Sequence, residues 1–377
     1  MEQVDIAIIG SGPSGVATAL SLLRIDPDLA SRTLVLEKSR HPRPKLCGGG
    51  VTFTARPTLD FIGIPLDSID VPHVRVDRVN ARFEDRVRTV RYKDAFRILR
   101  RDEFDAELVR RARDKGIEIR EGSPVKDIAA DPEGVTLTLP GGPVRARVVV
   151  GADGAKSLVR RKMDLPDPSR VSRLIEILTP QDPQTTVEFT QNAATFDFSP
   201  CRQGVQGYYW DFPSFKGGAA FMNRGVFDSR VLPHKPLADL KDALSAQLRL
   251  RDIDLDDHDI EGHPERWFDP RARLSRPHMI LVGDAAGVEP LLGEGIAYAL
   301  MYGPAVAPIL SDAFKKGDLS FSDYERRLLK SPVGRHLRLR TRLARIAYNT
   351  PPSLMRALMP LTPLAAAFIA SRCSGAV

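Results

Sequence analysis

The sequence of 377 residues predicts an α/β protein with a Rossmann-like domain, an inserted, mainly antiparallel β-sheet domain and a C-terminal helical segment. Two observations carry this prediction. Three glycine motifs lie far apart, at residues 10–15, 151–154 and 283–287, and each follows a short apolar run typical of a buried strand. Between the second and third motifs, short strand-like pieces alternate with Pro and Gly. We therefore expect the chain to leave the first domain and re-enter it, so that the motifs form one site.

The first motif, Gly10-Ser11-Gly12-Pro13-Ser14-Gly15, lies between an apolar run at 4–9 and a helical pattern at 16–23. Gly10 permits the tight turn, Gly12 lets the backbone approach a pyrophosphate, and Gly15 allows the helix to pack closely on the strand. The helix N-terminus offers unpaired N–H groups and the positive end of its dipole to the phosphates. This context, unlike an isolated glycine triplet, predicts a dinucleotide site.

A second strand-like run, at 33–36, ends at Glu37, about 20 residues beyond the first motif. A carboxylate at this place can accept hydrogen bonds from an adenosine ribose. The acid completes the pattern of strand, glycines, helix and strand that a dinucleotide fold requires.

The third motif follows an apolar run at 279–282, and its Asp284 is placed to bind the ribityl hydroxyls of a flavin. The segment Gly293-Glu294-Gly295-Ile296 opens the next helix, whose backbone N–H groups can stabilise negative charge on a reduced flavin. An ordinary strand and turn with a capping Asp would give the same local pattern. The three motifs in this order nevertheless indicate FAD.

Composition points to an ordinary globular protein, with 42% hydrophobic and 27% charged residues. The cysteines, Cys47, Cys201 and Cys373, have no paired spacing, which fits a reducing compartment and gives neither a disulfide framework nor a zinc site. The histidines are scattered without metal-ligand spacing, so we expect no metal site. No signal segment precedes the first strand, and we expect a cytoplasmic location.

The net charge of +7 is concentrated near the C-terminus, where residues 322–349 are rich in arginine. The apolar stretch at 351–369 is interrupted by prolines, so it does not read as a membrane-spanning helix. Two interpretations remain open: a solvated basic face followed by a helix docked on the core, or peripheral contact with an anionic membrane. Nucleic-acid binding is disfavoured, because the basic stretch lacks interleaved aromatic residues and any known module.

The other elements follow from local pattern. A loop at 42–50 carries a glycine run that would let backbone approach a planar ligand. An amphipathic helix begins at Arg101 and ends at Gly116, a plausible C′ glycine, and a second helix runs from 296 to 316. Strands are predicted within 71–96 and at 117–119, 135–139, 144–150, 186–189, 195–198, 207–210, 219–222 and 279–282.

These elements divide the chain into a discontinuous FAD-binding domain, a substrate-binding domain and a C-terminal helical region. The FAD-binding domain is expected at 1–70, 97–165 and 272–316. The substrate-binding domain is expected at 71–96 and 166–271, and the helical region at 317–377.

Three further segments carry a resemblance to a known family. They are Pro44-Lys45-Leu46-Cys47-Gly48-Gly49, the segment 283–296 with its Gly-Glu-Gly-Ile ending, and Tyr208-Tyr209-Trp210-Asp211-Phe212-Pro213. The chain resembles flavoproteins of the para-hydroxybenzoate hydroxylase fold and, within that fold, the geranylgeranyl reductase family. The resemblance spans residues 1–316 and is weakest in the substrate domain. Ser214 stands where the family has Lys and Asn223 where it has Gly, although Gly225 still fits.

The resemblance implies roles for individual residues. Cys47 would lie near the flavin with a redox or proton-handling role, although a small residue packed in a tight loop is an equal alternative. Arg101 would contact the flavin nucleotide, unless it is an exposed arginine at a helix start. Tyr208, Trp210 and Phe212 would line a prenyl pocket, or they form plain core on one face of a strand. The full set of expected cofactor-binding residues is Gly10, Gly12, Pro13, Ser14, Gly15, Glu37, Lys38, Lys45, Cys47, Gly48, Gly49, Arg101, Val125, Asp153, Gly154, Gly283, Asp284, Pro290, Gly293, Gly295 and Ile296.

The resulting functional prediction is an FAD-dependent oxidoreductase that reduces carbon–carbon double bonds of a prenyl or similar hydrophobic, lipid-like substrate. Reduced flavin would deliver a hydride to one carbon, and a proton would reach the other. NAD(P)H or a separate reductase would supply the electrons. The alternatives are an FAD-dependent monooxygenase acting on an aromatic or polyketide-like substrate, a flavin halogenase, and a non-enzymatic flavin-binding protein.

Overall fold

The computed structural model describes residues 1–166 and 171–358. The strands in this part of the chain are β1 Glu2–Ile9, β2 Thr33–Leu36, β3 Gly50–Thr52, β4 His73–Phe83, β5 Arg86–Leu99, β6 Glu118–Arg120, β7 Asp127–Asp131, β8 Gly134–Thr138, β9 Val144–Gly151, β10 Val171–Pro180, β11 Ala193–Asp197, β12 Gly207–Lys216, β13 Ala219–Asp228, β14 Glu261–Arg266, β15 Ser275–Arg276 and β16 Met279–Leu281. The helices are α1 Pro13–Ile25, α2 Pro27–Ala30, α3 Arg56–Phe61, α4 Arg101–Asp114, α5 Leu158–Met163, α6 Val187–Thr190, α7 Leu240–Arg249, α8 Gly295–Lys316, α9 Tyr324–Lys330, α10 Pro332–Asn349 and α11 Pro352–Leu358.

The first sheet has eight strands with the path β15-β16-β9-β1-β2-β6, and β7 and β8 join it through β9. Strands β16, β9, β1, β2 and β6 run parallel to one another. Ile9, Gly151 and Leu281 are in register at the carboxyl ends of three neighbouring strands. Ligands bind at this edge of an open α/β sheet. The prediction that the chain re-enters one domain and brings the three glycine motifs together is confirmed.

Helix α1 packs on β1 and β2 of this sheet, and α8 packs against α1. Their backbones approach closely at Gly303, where a Cβ would lie 2.5 Å from the backbone of Ala17. The apolar side chains of β1, such as Ile6 and Ile8, are fully buried between the layers. Burial of both faces explains why the parallel strands read as continuous apolar runs.

The second sheet has eight strands in the order β14-β10-β13-β12-β11-β4-β5-β3. Its pairs are antiparallel except for β11 with β4. The predicted fold class, a Rossmann-like domain combined with a mainly antiparallel sheet, is confirmed. The predicted amphipathic helix is α4, and Gly116 follows its end with φ of +90°.

One predicted strand is wrong: residues 186–189 form a turn and the short helix α6. The reason lies in Asp182, whose carboxylate accepts the N–H of Gln184 and whose carbonyl accepts the N–H of Thr186. Asp side chains that bond the backbone two residues on favour turns over strands.

The ends of the second sheet do not follow the expected domain limits. Strand β3 lies within the segment 1–70 that the sequence assigns to the FAD-binding domain, yet it pairs with β5. Strand β5 itself continues past residue 96 to Leu99. The second sheet therefore reaches the Cys47 loop, defined here as residues 42–49, which runs directly into β3. The remaining domain limits stay a prediction.

The C-terminal region forms α9, α10 and α11 in its described part. Helix α10 buries one face, which includes Val333, Leu337 and Ala344. The apolar stretch expected at 351–369 lies outside the described residues from 359 onward. Among the residues that the structure describes, none of the helices is both long and apolar enough to cross a membrane.

Candidate active site

The three glycine motifs enclose a cavity of about 590 Å³ at the carboxyl edge of the first sheet. A Cβ on Gly10 would lie 2.4 Å from the carbonyl oxygen of Ala152, in the second motif. A Cβ on Gly283 would lie 2.6 Å from Cβ of Ser14, so the third motif touches the first. Glycines are needed at both contacts because no larger residue fits between these backbones. The cavity volume lies within the range of small-molecule and cofactor sites.

Most of the predicted cofactor-binding residues line this cavity. They are Gly10, Gly12, Pro13, Ser14, Glu37, Lys38, Lys45, Cys47, Arg101, Val125, Asp153, Gly154, Asp284, Gly293, Gly295 and Ile296.

Five predicted residues lie outside the lining: Gly15, Gly48, Gly49, Gly283 and Pro290. Gly15 packs the helix on the strand, as expected, since its Cβ would lie 1.9 Å from the carbonyl oxygen of Gly10. Gly49 abuts the carbonyl oxygen of Leu99, at 2.0 Å from a Cβ. Gly15 and Gly49 therefore allow close backbone packing behind the residues that line the cavity.

The walls carry more basic than acidic side chains, which suits a diphosphate. Arg43 lies beside the phosphate turn, with its Nη2 3.6 Å from a Cβ built on Gly12. The basic side chains that line the cavity are Lys38, Arg43, Lys45, Arg101, Lys126, Lys156 and Arg161. The helix N-terminus of α1 adds the positive end of its dipole at the same place.

Glu37 is buried at the end of β2 and is held by a set of donors. Its Oε2 accepts the backbone N–H and the hydroxyl of Ser11, each at 3.0 Å, and its Oε1 accepts the N–H of Ser39. Burial by itself would raise the pKa of Glu37, but Arg43 and these donors outweigh it, so the pKa is lowered. The side chain is therefore a carboxylate, and it lines the cavity.

Replacing Glu37 by Gln is expected to weaken FAD binding by about 1–2 kcal/mol, because charge-assisted hydrogen bonds become neutral ones. The dissociation constant, measured by fluorescence titration of the apoprotein with FAD, reports the change. The matched control is Glu118→Gln, an exposed glutamate on β6 outside the cavity. Equal affinity of the Glu37 variant and the control would remove Glu37 from the ribose role.

Arg101 lines the cavity from the first turn of α4 and is buried, not exposed. Asp105, one turn along the helix, holds the guanidinium in two bonds of 2.8 and 2.9 Å. Burial disfavours the charge of Arg101, but the Asp105 carboxylate outweighs it and raises the pKa further. The pair presents a fixed cation to the cavity, which fits the predicted contact with the flavin nucleotide.

Asp153 has a local structural role in addition to its place in the cavity wall. Its Oδ2 accepts the N–H groups of Leu158 at 2.6 Å and Val159 at 3.1 Å, at the start of α5. Its Oδ1 accepts the hydroxyl of Ser157. The second motif therefore positions a helix N-terminus as well as the cavity floor.

The turn that opens α8 is organised by Glu289, a residue that the sequence did not single out. Its buried carboxylate accepts the N–H groups of Leu291 at 2.5 Å, Leu292 at 2.9 Å and Glu294 at 3.3 Å. Glu294 in turn faces away from the cavity and pairs with Arg340 of α10 at 3.2 Å. In the same turn, Gly293 and Gly295 line the cavity, whereas Glu289 and Glu294 do not.

The Cys47 thiol lies at the cavity wall and accepts the N–H of Gly49 at 3.4 Å. Burial raises the pKa of Cys47, while Arg101 opposes this rise. The raised pKa makes a thiolate unfavourable at neutral pH, so Cys47 is a thiol in this site.

The cavity residues that the sequence analysis missed include Arg43, His263 and Glu265. His263 and Glu265 point to the same face of β14 because side chains alternate along a strand. His263 Nε2 contacts Lys45 Nζ. Burial and the charge of Lys45 lower the pKa of His263 to about 3, so the ring is neutral. The segment Glu261–Arg266 contains Gly and Pro and no apolar alternation, so its sequence did not indicate a strand, and nothing local shows which sheet edge it occupies.

The aromatic stripe of Tyr208, Trp210 and Phe212 does not line the cavity. It is buried on one face of β12 in a cluster of aromatic residues that includes Phe96 and Phe196. This cluster lies directly under the Cys47 loop.

Two contacts join the stripe to the site. A Cβ on Gly48 would meet the Phe212 ring at 3.2 Å. Asn223, the departure from the family pattern, accepts the indole N–H of Trp210 at 2.8 Å and donates to the carbonyl of Cys47 at 3.4 Å. Asn223 therefore ties the stripe to the loop that borders the cavity.

Comparison with protein families matches the FAD binding domain over residues 3–253. The chain belongs to this FAD-binding family. It is an enzyme of the FAD-dependent oxidoreductase class, and the cavity fits FAD through its glycine turn, its basic walls and the Glu37 carboxylate.

Several relatives of this chain are named as reductases. The chain is 27% identical to a menaquinone reductase of Mycolicibacterium smegmatis, over 96% of this chain and 90% of that protein. It is 27% identical to digeranylgeranylglycerophospholipid reductase 2 of Methanopyrus kandleri, over 86% of this chain and 81% of that protein. The predicted resemblance to geranylgeranyl reductases is confirmed by this sequence similarity.

Solved structures agree on the fold. A geranylgeranyl bacteriochlorophyll reductase-like protein of Thermoplasma acidophilum superposes with a TM-score of 0.77 at 20% identity, covering 96% of this chain and 92% of that chain. The p-nitrophenol 4-monooxygenase of Pseudomonas putida superposes with a TM-score of 0.69 at 20% identity, covering 95% and 92%. Because one fold serves both activities, the substrate must be argued from the site.

Proposed function

We propose that this protein is an FAD-dependent reductase that saturates carbon–carbon double bonds in a prenyl chain or a similar hydrophobic substrate. The observation that carries the proposal is that the Cys47 loop lies between the cavity and the aromatic stripe and contacts both. Phe212 packs against Gly48, and the next residue toward the cavity is Cys47. A lipid-like substrate is also what the names of the two reductase relatives suggest.

Different residues along the cavity would bind different parts of FAD. Glu37 would hold the adenosine ribose, and the turn at Gly12 with Arg43 and Arg101 would hold the phosphates. Asp284 would hold the ribityl chain. When bound, FAD supplies the hydride that a carbon–carbon double bond accepts on reduction.

The substrate end of the site would lie where the Cys47 loop covers the aromatic stripe. Tyr208, Trp210 and Phe212 are each at most 6% exposed, so they provide an apolar floor that excludes water. Exclusion of water favours hydride transfer over side reactions. We propose that these rings shape the prenyl-binding region from beneath the loop.

The electrons would come from NAD(P)H bound transiently or from a separate reductase protein. The sequence contains one strand, glycine turn and helix of the dinucleotide type, at residues 4–23, and we assign it to FAD.

The second candidate is a monooxygenase, favoured by the likeness in fold to p-nitrophenol 4-monooxygenase. The two activities differ in their need for oxygen. A reductase forms a product with two added hydrogens under nitrogen, whereas a monooxygenase forms an oxygenated product only in air. Mass spectrometry of products from a geranylgeranyl lipid, formed by the dithionite-reduced holoenzyme with and without oxygen, distinguishes them. An oxygenated product that requires air would overturn the reductase proposal.

We further propose that the exposed face of α10 contacts an anionic membrane surface from which the substrate is taken. This face combines basic and apolar residues at helical spacing: Arg335, Arg338, Leu339, Arg342, Arg345 and Ile346. Leu339 and Ile346 are 40% and 65% exposed and lie among the arginines of this face. Arginines attract acidic headgroups, and the apolar side chains can enter the interface.

Replacing Arg338 and Arg342 together by Gln is expected to weaken binding to phosphatidylserine-containing vesicles by about 2 kcal/mol, at about 1 kcal/mol for each arginine. Vesicle co-sedimentation measures the change. The matched control changes two exposed arginines of β5, Arg88 and Arg91, to Gln. Equal binding of the two double variants would contradict the assignment of this face.

A further inference from the structure

Glu265 is a buried acid at the cavity wall, and one of its two carboxyl oxygens lacks a hydrogen-bond partner among the described residues. It lies on β14 at the edge of the second sheet and lines the cavity. The residue is 7% exposed, and among the residues that the structure describes its Oε2 has no hydrogen-bond partner. A buried polar atom without a partner is costly and calls for an explanation.

The carboxyl group lies against the turn that opens α8. A Cβ on Gly295 would be 2.6 Å from Glu265 Oε1, and a Cβ on Gly293 would be 3.2 Å from Oε2. These two glycines also line the cavity. Since any larger residue at either place would collide with Glu265, the glycines leave room for the acid at the cavity wall.

Titratable groups on several neighbouring elements shift the pKa of the Glu265 carboxyl group. Burial raises the pKa of Glu265 well above its ordinary value, and the carboxylates of Asp284 and Glu289 add to this effect. Lys45 and Arg101 oppose it. The other titratable groups that interact with this region are Cys47, Tyr208 and His263. The balance favours the protonated form of Glu265, so its carboxyl group carries a proton that it can donate.

We propose that Glu265 is the proton donor of this site. The inference rests on the proposed function, in which a double bond accepts a hydride at one carbon. The second carbon then takes the proton from Glu265 Oε as the π bond breaks. Two C–H bonds form, and three bonds break: the π bond, the carboxyl O–H bond and the bond that held the hydride on the reduced cofactor, which is oxidised by two electrons.

The same surroundings can restore the acid. The positive charge of Lys45 favours the new carboxylate and stabilises it until a solvent proton returns. Tyr208 is a poorer donor, because its hydroxyl already donates to the carbonyl of Leu292 at 2.5 Å. Cys47 is a poorer donor as well, since a thiol of raised pKa gives up its proton less readily than a carboxylic acid.

The protonation state is tested without turnover by infrared spectroscopy of the holoenzyme at neutral pH. We expect a carbonyl band of a protonated carboxyl group that shifts in D2O, is lost in Glu265→Gln and persists in Glu176→Gln. Glu176 is the matched control because its pKa is raised to about 7 by burial and it lies outside the cavity. Retention of every such band in Glu265→Gln, with normal FAD content, would overturn the proposal.

The donor role is tested by anaerobic reoxidation of the prereduced enzyme with a geranylgeranyl lipid. Glu265→Gln is expected to slow this step by about 10²–10⁴-fold, the usual contribution of a general acid, while dithionite reduction of its flavin is unchanged. Glu265→Asp should recover part of the rate. The wild-type rate should fall as pH rises through the pKa of Glu265, and the Gln variant should lose this dependence.

A wild-type rate and pH profile in Glu265→Gln would overturn the donor role. Failure of the wild-type enzyme to react with any prenyl compound would instead refute the proposed function. In that case the infrared result still decides whether Glu265 is a neutral acid, so the two failures are distinguishable.

Discussion

Replacing Arg101 by Met is expected to lower the free energy of unfolding by about 3–5 kcal/mol, the usual cost of removing one partner of a buried ion pair. Asp105 is fully buried, and both of its oxygens accept from the Arg101 guanidinium. Without Arg101, Arg43 remains beside the carboxylate, with its Nη2 3.4 Å away. Urea denaturation followed by circular dichroism measures the change.

The same variant is expected to lose affinity for FAD, because the cation that faces the cavity disappears. Arg110→Met is the matched control on the same helix: Arg110 is exposed and pairs with Glu107 and Asp114 at the surface. Surface pairs contribute little, so the control should lose far less stability. If both variants unfold at the same urea concentration, the Arg101–Asp105 pair is not the anchor that the structure indicates.

Replacing Gly10 by Ala is expected to abolish stable FAD binding. Gly10 has φ of +105°, a conformation that costs a non-glycine residue about 1–3 kcal/mol. A methyl group there would also lie 2.4 Å from the backbone carbonyl oxygen of Ala152, which cannot move without separating the first two motifs. Flavin content after purification and reconstitution with excess FAD measures the effect.

Gly116→Ala separates the two causes. Gly116 has φ of +90°, yet a Cβ there meets nothing within 4 Å. This control therefore carries a similar backbone cost without the collision, and it should retain flavin. Loss of flavin in both variants would show that backbone strain, and not contact between the motifs, limits binding.

The local part of the fold was predictable because its signals are local. The glycine turn after β1, the helix at α4 with Gly116 behind it and the strand before Asp284 each follow from residues adjacent in sequence. The meeting of the three motifs was also predictable, since parallel strands of one sheet bring their carboxyl ends together.

The missed parts depend on contacts between distant segments. Glu265 and His263 reach the cavity only because β14 pairs with β10 at the edge of the second sheet. The hydroxyl of Tyr208 bonds to the carbonyl of Leu292, which lies in another part of the chain. Such pairings have no signature in a local window, so the sequence could not place these side chains.

Asn223 shows how a departure from a family pattern can have a local reason. Its amide joins the indole of Trp210 to the carbonyl of Cys47, a link that glycine could not make. Ser214, the other departure, is buried on β12. Nothing in the structure assigns Ser214 a role toward the substrate.

The central claim is that the reduced cofactor in this cavity saturates a prenyl double bond. The most direct measurement is an anaerobic single turnover, in which the enzyme is reduced with one equivalent of dithionite and mixed with a geranylgeranyl lipid. Flavin absorbance and product mass are followed together. We predict that the flavin is reoxidised and that one double bond gains two hydrogens for each flavin. A flavin that stays reduced until oxygen is admitted, with an unchanged lipid, would contradict the account.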